Sequence, residues 1–91
     1  MYGLIYTESY EQKARKFLKK HPELKAQYEK TLKLLELNPY HPSLRLHKVS
    51  IQGNEVFSVS INISYRITID LLIDDLEIIP INIGSHDDVY K

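Results

Sequence analysis

Four side chains in the second half of this 91-residue sequence are of types that handle phosphate esters and protons: His47, Arg66, His86 and Tyr90. Arg66 is set apart by its neighbours. From Phe57 to Leu71 the odd positions Phe57, Val59, Ile61, Ile63, Tyr65, Ile67, Ile69 and Leu71 are apolar or aromatic. The residues between them, Ser58, Ser60, Asn62, Ser64, Arg66, Thr68 and Asp70, are all polar. Alternation with a period of two marks strands with one face buried and the other turned to water. Arg66 is then the only cation on the polar face of the central strands. Its guanidinium is a planar fork of donors that engages two phosphate oxygens at once. An imidazole titrates near neutrality and serves as base or acid, a role for which His86 comes first and His47 second. Tyr90 offers a ring for a single-stranded base to stack on, worth about 1–3 kcal/mol.

Each of these residues has an ordinary structural alternative. Arg66 can pair with Asp70, two residues along the same strand. The histidines, His21 and His41 included, are of a type usually found solvated at the surface. Tyr90 can be an anchor that fills a gap at the end of the sheet. The run His86-Asp87-Asp88 is not expected to bind a metal, because consecutive residues cannot converge on one ion without other ligands. There is no cysteine, which excludes disulfides, thiolate metal sites and thiol nucleophiles.

The elements that must position these residues follow from local pattern. Residues 2–6 (YGLIY) read as a short first strand. Thr7 or Ser9 can cap a helix in which Tyr10, Ala14, Phe17 and Leu18 recur on one side, with Lys13, Arg15, Lys16 and Lys19 on the other. His21-Pro22 ends that helix, and Pro22 suits the first position of the next. Leu24, Tyr28, Leu32 and Leu35 form the apolar stripe of the second helix, which Asn38-Pro39 breaks. Strands are expected over residues 44–50, 55–62, 65–73 and 76–83, with Gln52-Gly53-Asn54 and Asp74-Asp75 as turns. The connection near Asn62-Ile63-Ser64 is not marked, since the alternation runs straight through it. Pro80 cannot donate to a ladder, so the last strand is expected to carry a bulge or a one-sided pairing there. The architecture expected is α+β in the order β-α-α-β-β-β. A two-helix hairpin packs on one face of a mostly antiparallel four-stranded sheet.

Length and charge bound the rest. Residues 1–91 read as a single domain with a two-layer core and no room for an interior cofactor cavity. No apolar run approaches the ~18–20 residues of a membrane span, and the first residues lack the pattern of a signal peptide. The formal net charge is zero. It hides a split, for residues 1–49 carry ten basic against five acidic side chains, and residues 50–91 two against seven. Such a split fits a solvated helical face, or a surface that meets nucleic acid or an acidic partner.

The element order, Leu46-His47-Lys48 before a glycine turn, Ser64-Tyr65-Arg66-Ile67 opening a strand, and Ile83-Gly84-Ser85-His86-Asp87-Asp88-Val89-Tyr90 together resemble the RelE/ParE toxin superfamily, over essentially the whole chain. The resemblance implies the toxin of a type II toxin–antitoxin system, cytoplasmic, with an amphipathic segment of a cognate antitoxin as partner. For members similar to RelE and YafQ it implies a ribosome-dependent mRNA endonuclease that acts in the ribosomal A site with neither metal nor cofactor. For ParE-like members it implies inhibition of gyrase by binding alone. Arg66 matches the family arginine that meets the scissile phosphate, and His86 the histidine after Gly-Ser or Gly-Thr. Tyr90 matches the C-terminal aromatic, which stacks on a base or assists proton transfer. His47 matches a further histidine, with Lys48 beside it, and Arg45, Lys48 and Lys16 are the expected RNA-binding cations. The sequence departs from YafQ-like members at Ile61 and Tyr65, where they carry a histidine and an aspartate. Asn82 replaces an arginine. The implied site is thinner than theirs.

Overall fold

The computed structural model describes residues 1–90. The elements are β1 (Gly3–Leu4), α1 (Glu8–Lys20), a 3-10 turn (Pro22–Leu24), α2 (Lys25–Leu37), a second 3-10 turn (Pro42–Leu44), β2 (His47–Ile51), β3 (Asn54–Ser60), β4 (Tyr65–Leu72), β5 (Glu77–Ser85) and α3 (His86–Val89). Thr7 caps α1, its hydroxyl accepting from the Tyr10 N–H at 3.1 Å. The acidic Glu8 and Glu11 lie in the first turn of α1 and Lys19 and Lys20 in the last, the placement that suits the helix dipole. Pro22 opens the 3-10 turn that leads into α2. Asn38 closes α2 in an extended conformation.

The described strands form one five-stranded sheet in the order β1-β5-β4-β3-β2. The order β-α-α-β-β-β counts one strand too few, for all five segments read as strands pair, the two-residue β1 and the proline-bearing β5 included. β1 runs parallel to β5, with Gly3 opposite Glu77, and every other pairing is antiparallel. The bulge expected at Pro80 is present. Thr68 lies opposite Asn82 and Ile69 opposite Pro80, so Ile81 is the extra residue. Gln52 and Gly53, both with positive φ, make the two-residue turn between β2 and β3.

The core lies between one face of the sheet and the two helices. Tyr10, Ala14 and Phe17 of α1 and Tyr28 and Leu35 of α2 meet Val59, Ile67, Ile69, Ile78 and Ile83 of the sheet. The phenols of Tyr10 and Tyr28 satisfy one another at 3.0 Å inside this layer. Burial raises both above the ordinary tyrosine value; Tyr28 and Tyr6 add to the rise at Tyr10, whereas at Tyr28 the hydrogen bond with Tyr10 offsets part of it and the Glu11 carboxylate adds to it.

Three local expectations need correction. Ile63, placed in the buried stripe by alternation, is 94% exposed. It sits at the tip of the β3–β4 hairpin, which Asn62 organises by accepting from the N–H groups of Ser64 and Tyr65 through its side-chain oxygen. β2 begins at His47 rather than at residue 44, because the Pro42–Leu44 turn and a left-handed Arg45 (φ 50) precede it. The polar face is not simply left to water, since Ser58 and Thr68 on it are fully buried. The short α3, not marked by the sequence, folds back over β4 and β5 and buries Val89.

Candidate functional site

β4 carries Arg66 on the face that α3 partly covers, between Ser60 of β3 and Gly84 of β5. Its guanidinium is held by uncharged acceptors. Nε donates to the Ser58 hydroxyl at 2.7 Å, and Nη2 to the backbone carbonyl of Arg45 at 3.4 Å. Among the described residues no carboxylate pairs with Arg66; the ion pairs are Arg15–Glu11, His21–Glu23 and Lys48–Glu55. The Asp70 alternative is therefore not realised. The guanidinium is oriented, and no carboxylate of the described residues compensates its charge.

The other three proposed residues reach the same place from different directions. His47 begins β2 opposite Ser58, and its Nδ1 lies 3.1 Å from the Arg45 carbonyl and 3.3 Å from Nη2 of Arg66. A carbonyl only accepts and a guanidinium only donates, so Nδ1 cannot bond both. With the proton on Nδ1, both His47 and Arg66 donate to the Arg45 oxygen, and Nε2 keeps its lone pair for a substrate. Tyr90 ends α3 with its phenol 2.7 Å from the Ser58 hydroxyl. His86, one turn earlier, packs edge-on against the Tyr90 ring at 4.3 Å between centroids. A line of contacts thus runs from His47 through Arg66 and Ser58 to Tyr90 and His86.

Local chemistry at the end of β5 explains why α3 sits where it does. Ser85 caps α3 reciprocally: its hydroxyl accepts from the Asp88 N–H at 3.3 Å, and its own N–H donates to the Asp88 carboxylate at 3.0 Å. Asn82 donates to the Asp88 carbonyl at 3.3 Å. Gly84 is needed for close approach, since a Cβ there, at φ 155, would stand 2.7 Å from the Asp88 Cβ.

The three cations expected to bind RNA are not gathered at this centre by their side chains. Arg45 contributes its carbonyl. Lys48, next to His47 on a strand, faces the opposite side, with its ammonium 3.6 Å from Glu55 and over the ring of Phe57. Lys16 lines a groove of about 460 Å³ with Lys13, Lys20 and His21 from the α1 side, and Gly84 and Asp88 across it. There His21 packs between the rings of Phe17 and Tyr65, at 4.9 and 4.7 Å. His41 caps its own turn by accepting from the Ser43 N–H. Ser58 was not singled out from sequence. The alternation does put it on the Arg66 face, but a serine so placed reads as surface until the register and α3 are known. Among the described residues no group of three His, Asp or Glu side chains is placed to hold a metal ion, so no step is assigned to one.

Two helices over a mostly antiparallel sheet form a fold like that of YafQ. The solved structures similar to the chain include YafQ from E. coli strain BL21(DE3), with a TM-score of 0.78, 12% identity and full coverage of both chains. They also include a copper-bound mutant toxin from Helicobacter pylori, with a TM-score of 0.71 and 21% identity over 99% of this chain and all of that one. A metal-bound toxin from Helicobacter pylori matches at a TM-score of 0.68 and 13% identity, with the same coverage. At these identities the likeness is one of fold. No protein-family model matches the chain, and no curated protein matches it.

Proposed function

We propose that this chain is the toxin of a type II toxin–antitoxin pair, acting in the cytoplasm as a ribosome-dependent mRNA endonuclease without a metal. The observation that carries the reading is the state of Arg66: its guanidinium is fixed by Ser58 and the Arg45 carbonyl, with no carboxylate to neutralise it among the described residues. A site of that kind attracts an anion with two oxygens to offer.

The 2′-hydroxyl attacks the neighbouring phosphorus. The O2′–P bond forms, the P–O5′ bond breaks, and a 2′,3′-cyclic phosphate and a 5′-hydroxyl result. Arg66 stabilises the charge on the non-bridging oxygens as the phosphorane develops. His47 takes the 2′ proton at Nε2, because its Nδ1 is anchored on the Arg45 carbonyl. His86 and Tyr90 stand beyond Arg66 and Ser58, on the side from which the departing oxygen receives its proton. Lys16, Lys48 and Arg45 meet flanking phosphates of mRNA or ribosomal RNA by their charge. The antitoxin segment covers the cleft between α1 and α2, where Tyr6 is exposed beside Leu18 and Leu32 and Arg15 lies at the rim.

Mapping mRNA ends after induction tests this. Cuts within codons that carry 5′-hydroxyl ends and require ribosomes are expected. Growth arrest with intact mRNA and inhibited gyrase would replace the reading by the ParE-like one.

A further inference from the structure

The hydrogen-bond inventory around Ser58 fixes which way protons point in this site. Ser58 is fully buried on β3, and its hydroxyl lies 2.7 Å from both Arg66 Nε and the Tyr90 oxygen. A guanidinium has no acceptor, so Ser58 must accept from Arg66. Its own hydrogen then has one acceptor within reach among the described residues, the Tyr90 oxygen. In the reverse arrangement Tyr90 would donate to Ser58, and the serine hydrogen would be buried with no partner, the costlier state. Arg66 therefore donates to Ser58, and Ser58 to Tyr90. The phenol hydrogen then bonds none of the described residues, on a side chain that is only partly buried.

We infer that Ser58 is a positioning residue that makes Tyr90 the proton donor of the cleavage reaction. This rests on the nuclease reading above. As P–O5′ breaks, the Tyr90 O–H bond breaks with it, and the proton goes to O5′. The phenol oxygen keeps the electron pair, which Ser58 meets with its hydrogen and Arg66 supports from behind. Water restores the phenol proton after the product leaves. His86 packs against the ring of Tyr90 and holds its plane. His47 lies 3.3 Å from Nη2 of Arg66 and Tyr90 reaches Nε through Ser58, so the base and the acid stand at different nitrogens of one guanidinium.

A substrate that needs no proton isolates this role. Two oligonucleotides spanning a mapped cut site are compared on ribosomes, one natural and one with sulfur replacing the 5′-bridging oxygen, which departs as a thiolate. On the natural substrate Tyr90→Phe should lower the single-turnover rate about 10²–10⁴-fold and Ser58→Ala about 10–10²-fold, with little change in KM. On the sulfur substrate both variants should cut nearly as fast as the unaltered chain. A serine that only supports the fold would leave Ser58→Ala equally impaired on both substrates, and that result overturns the inference. Full activity of either variant on the natural substrate overturns it as well. Arg66→Ala serves as the contrast, because it must stay slow with sulfur. If the unaltered chain cuts neither substrate, the nuclease reading itself falls, and the relay falls with it.

Discussion

Removing the guanidinium of Arg66 separates its effect on chemistry from its effect on the fold. Of its five N–H donors, Nε is spent on Ser58 and one Nη2 hydrogen on the Arg45 carbonyl. Three remain for a phosphate, enough for a two-pronged grip along the outer edge. Loss of a single donor to a developing oxyanion commonly costs about 10²–10³ in rate, or about 2.7–4 kcal/mol of barrier. Arg66→Ala should therefore slow cleavage by at least that factor. Arg66→Lys keeps the charge but has neither the fork nor the anchor on Ser58, and should fall between the two. The structural cost is smaller. Ser58 retains Tyr90, the Arg45 carbonyl lies at an exposed residue, and the loss amounts to about one hydrogen bond, ~1 kcal/mol. That corresponds to roughly 4–8 °C in Tm for a domain of this size. The assay is ribosome-dependent cutting of a defined mRNA, with ends mapped by primer extension and unfolding followed by circular dichroism on the same preparations. A folded Arg66→Ala protein that cuts at the unaltered rate refutes the reasoning.

Three further outcomes test the fold and its coupling to the site. Gly84→Ala should push α3 off β5, because the new methyl meets Asp88 at 2.7 Å and φ 155 disfavours it. It should abolish cutting at a stability cost of about 1–3 kcal/mol, seen as lost activity in a chain that still melts cooperatively. Leu35→Ala, at a fully buried position of α2, should cost about 2–5 kcal/mol, read from denaturant titration. Burial raises Tyr10 and Tyr28 above 10.0, so only the unfolded chain ionises near that pH. Their contribution is intact below about pH 10 and is lost above it, at ~1.4 kcal/mol per pH unit for each phenol. Stability measured from about pH 10 to about pH 12 should fall as the pH rises, and Tyr10→Phe should make the slope shallower.

The helices were legible because their signals are local. Thr7 as cap, the spacing of Tyr10, Ala14 and Phe17, and Pro22 at a helix start each act within a turn or two. Strand existence was legible for the same reason, and Pro80 announced its bulge. The β3–β4 turn was not, because alternation carries no mark of where a ladder reverses; the Asn62 side chain, not a glycine, makes that turn. The expected order counted four strands although five segments carried strand signals, and five pair; the extent of β1, two residues rather than the five of residues 2–6, is set only by its pairing with β5. In the site, residue type pointed to Arg66, His47, His86 and Tyr90, and the structure brings them together. Facing is a different matter. Lys48 adjoins His47 in sequence yet faces the opposite side, and Arg45 serves through a carbonyl that any residue would supply. Ser58 acquires its place only when β3, β4 and α3 meet, which no short window of sequence contains.

The pairing of β1 with β5 sets the timing of this protein's birth. A chain that emerges from synthesis amino end first presents β1 long before its partner exists, and the contacts that complete the sheet are among the most distant in sequence. The polar centre is later still, since Tyr90 must dock before Ser58 is fully engaged. The centre is therefore assembled only once Tyr90 has been made and has docked against β3.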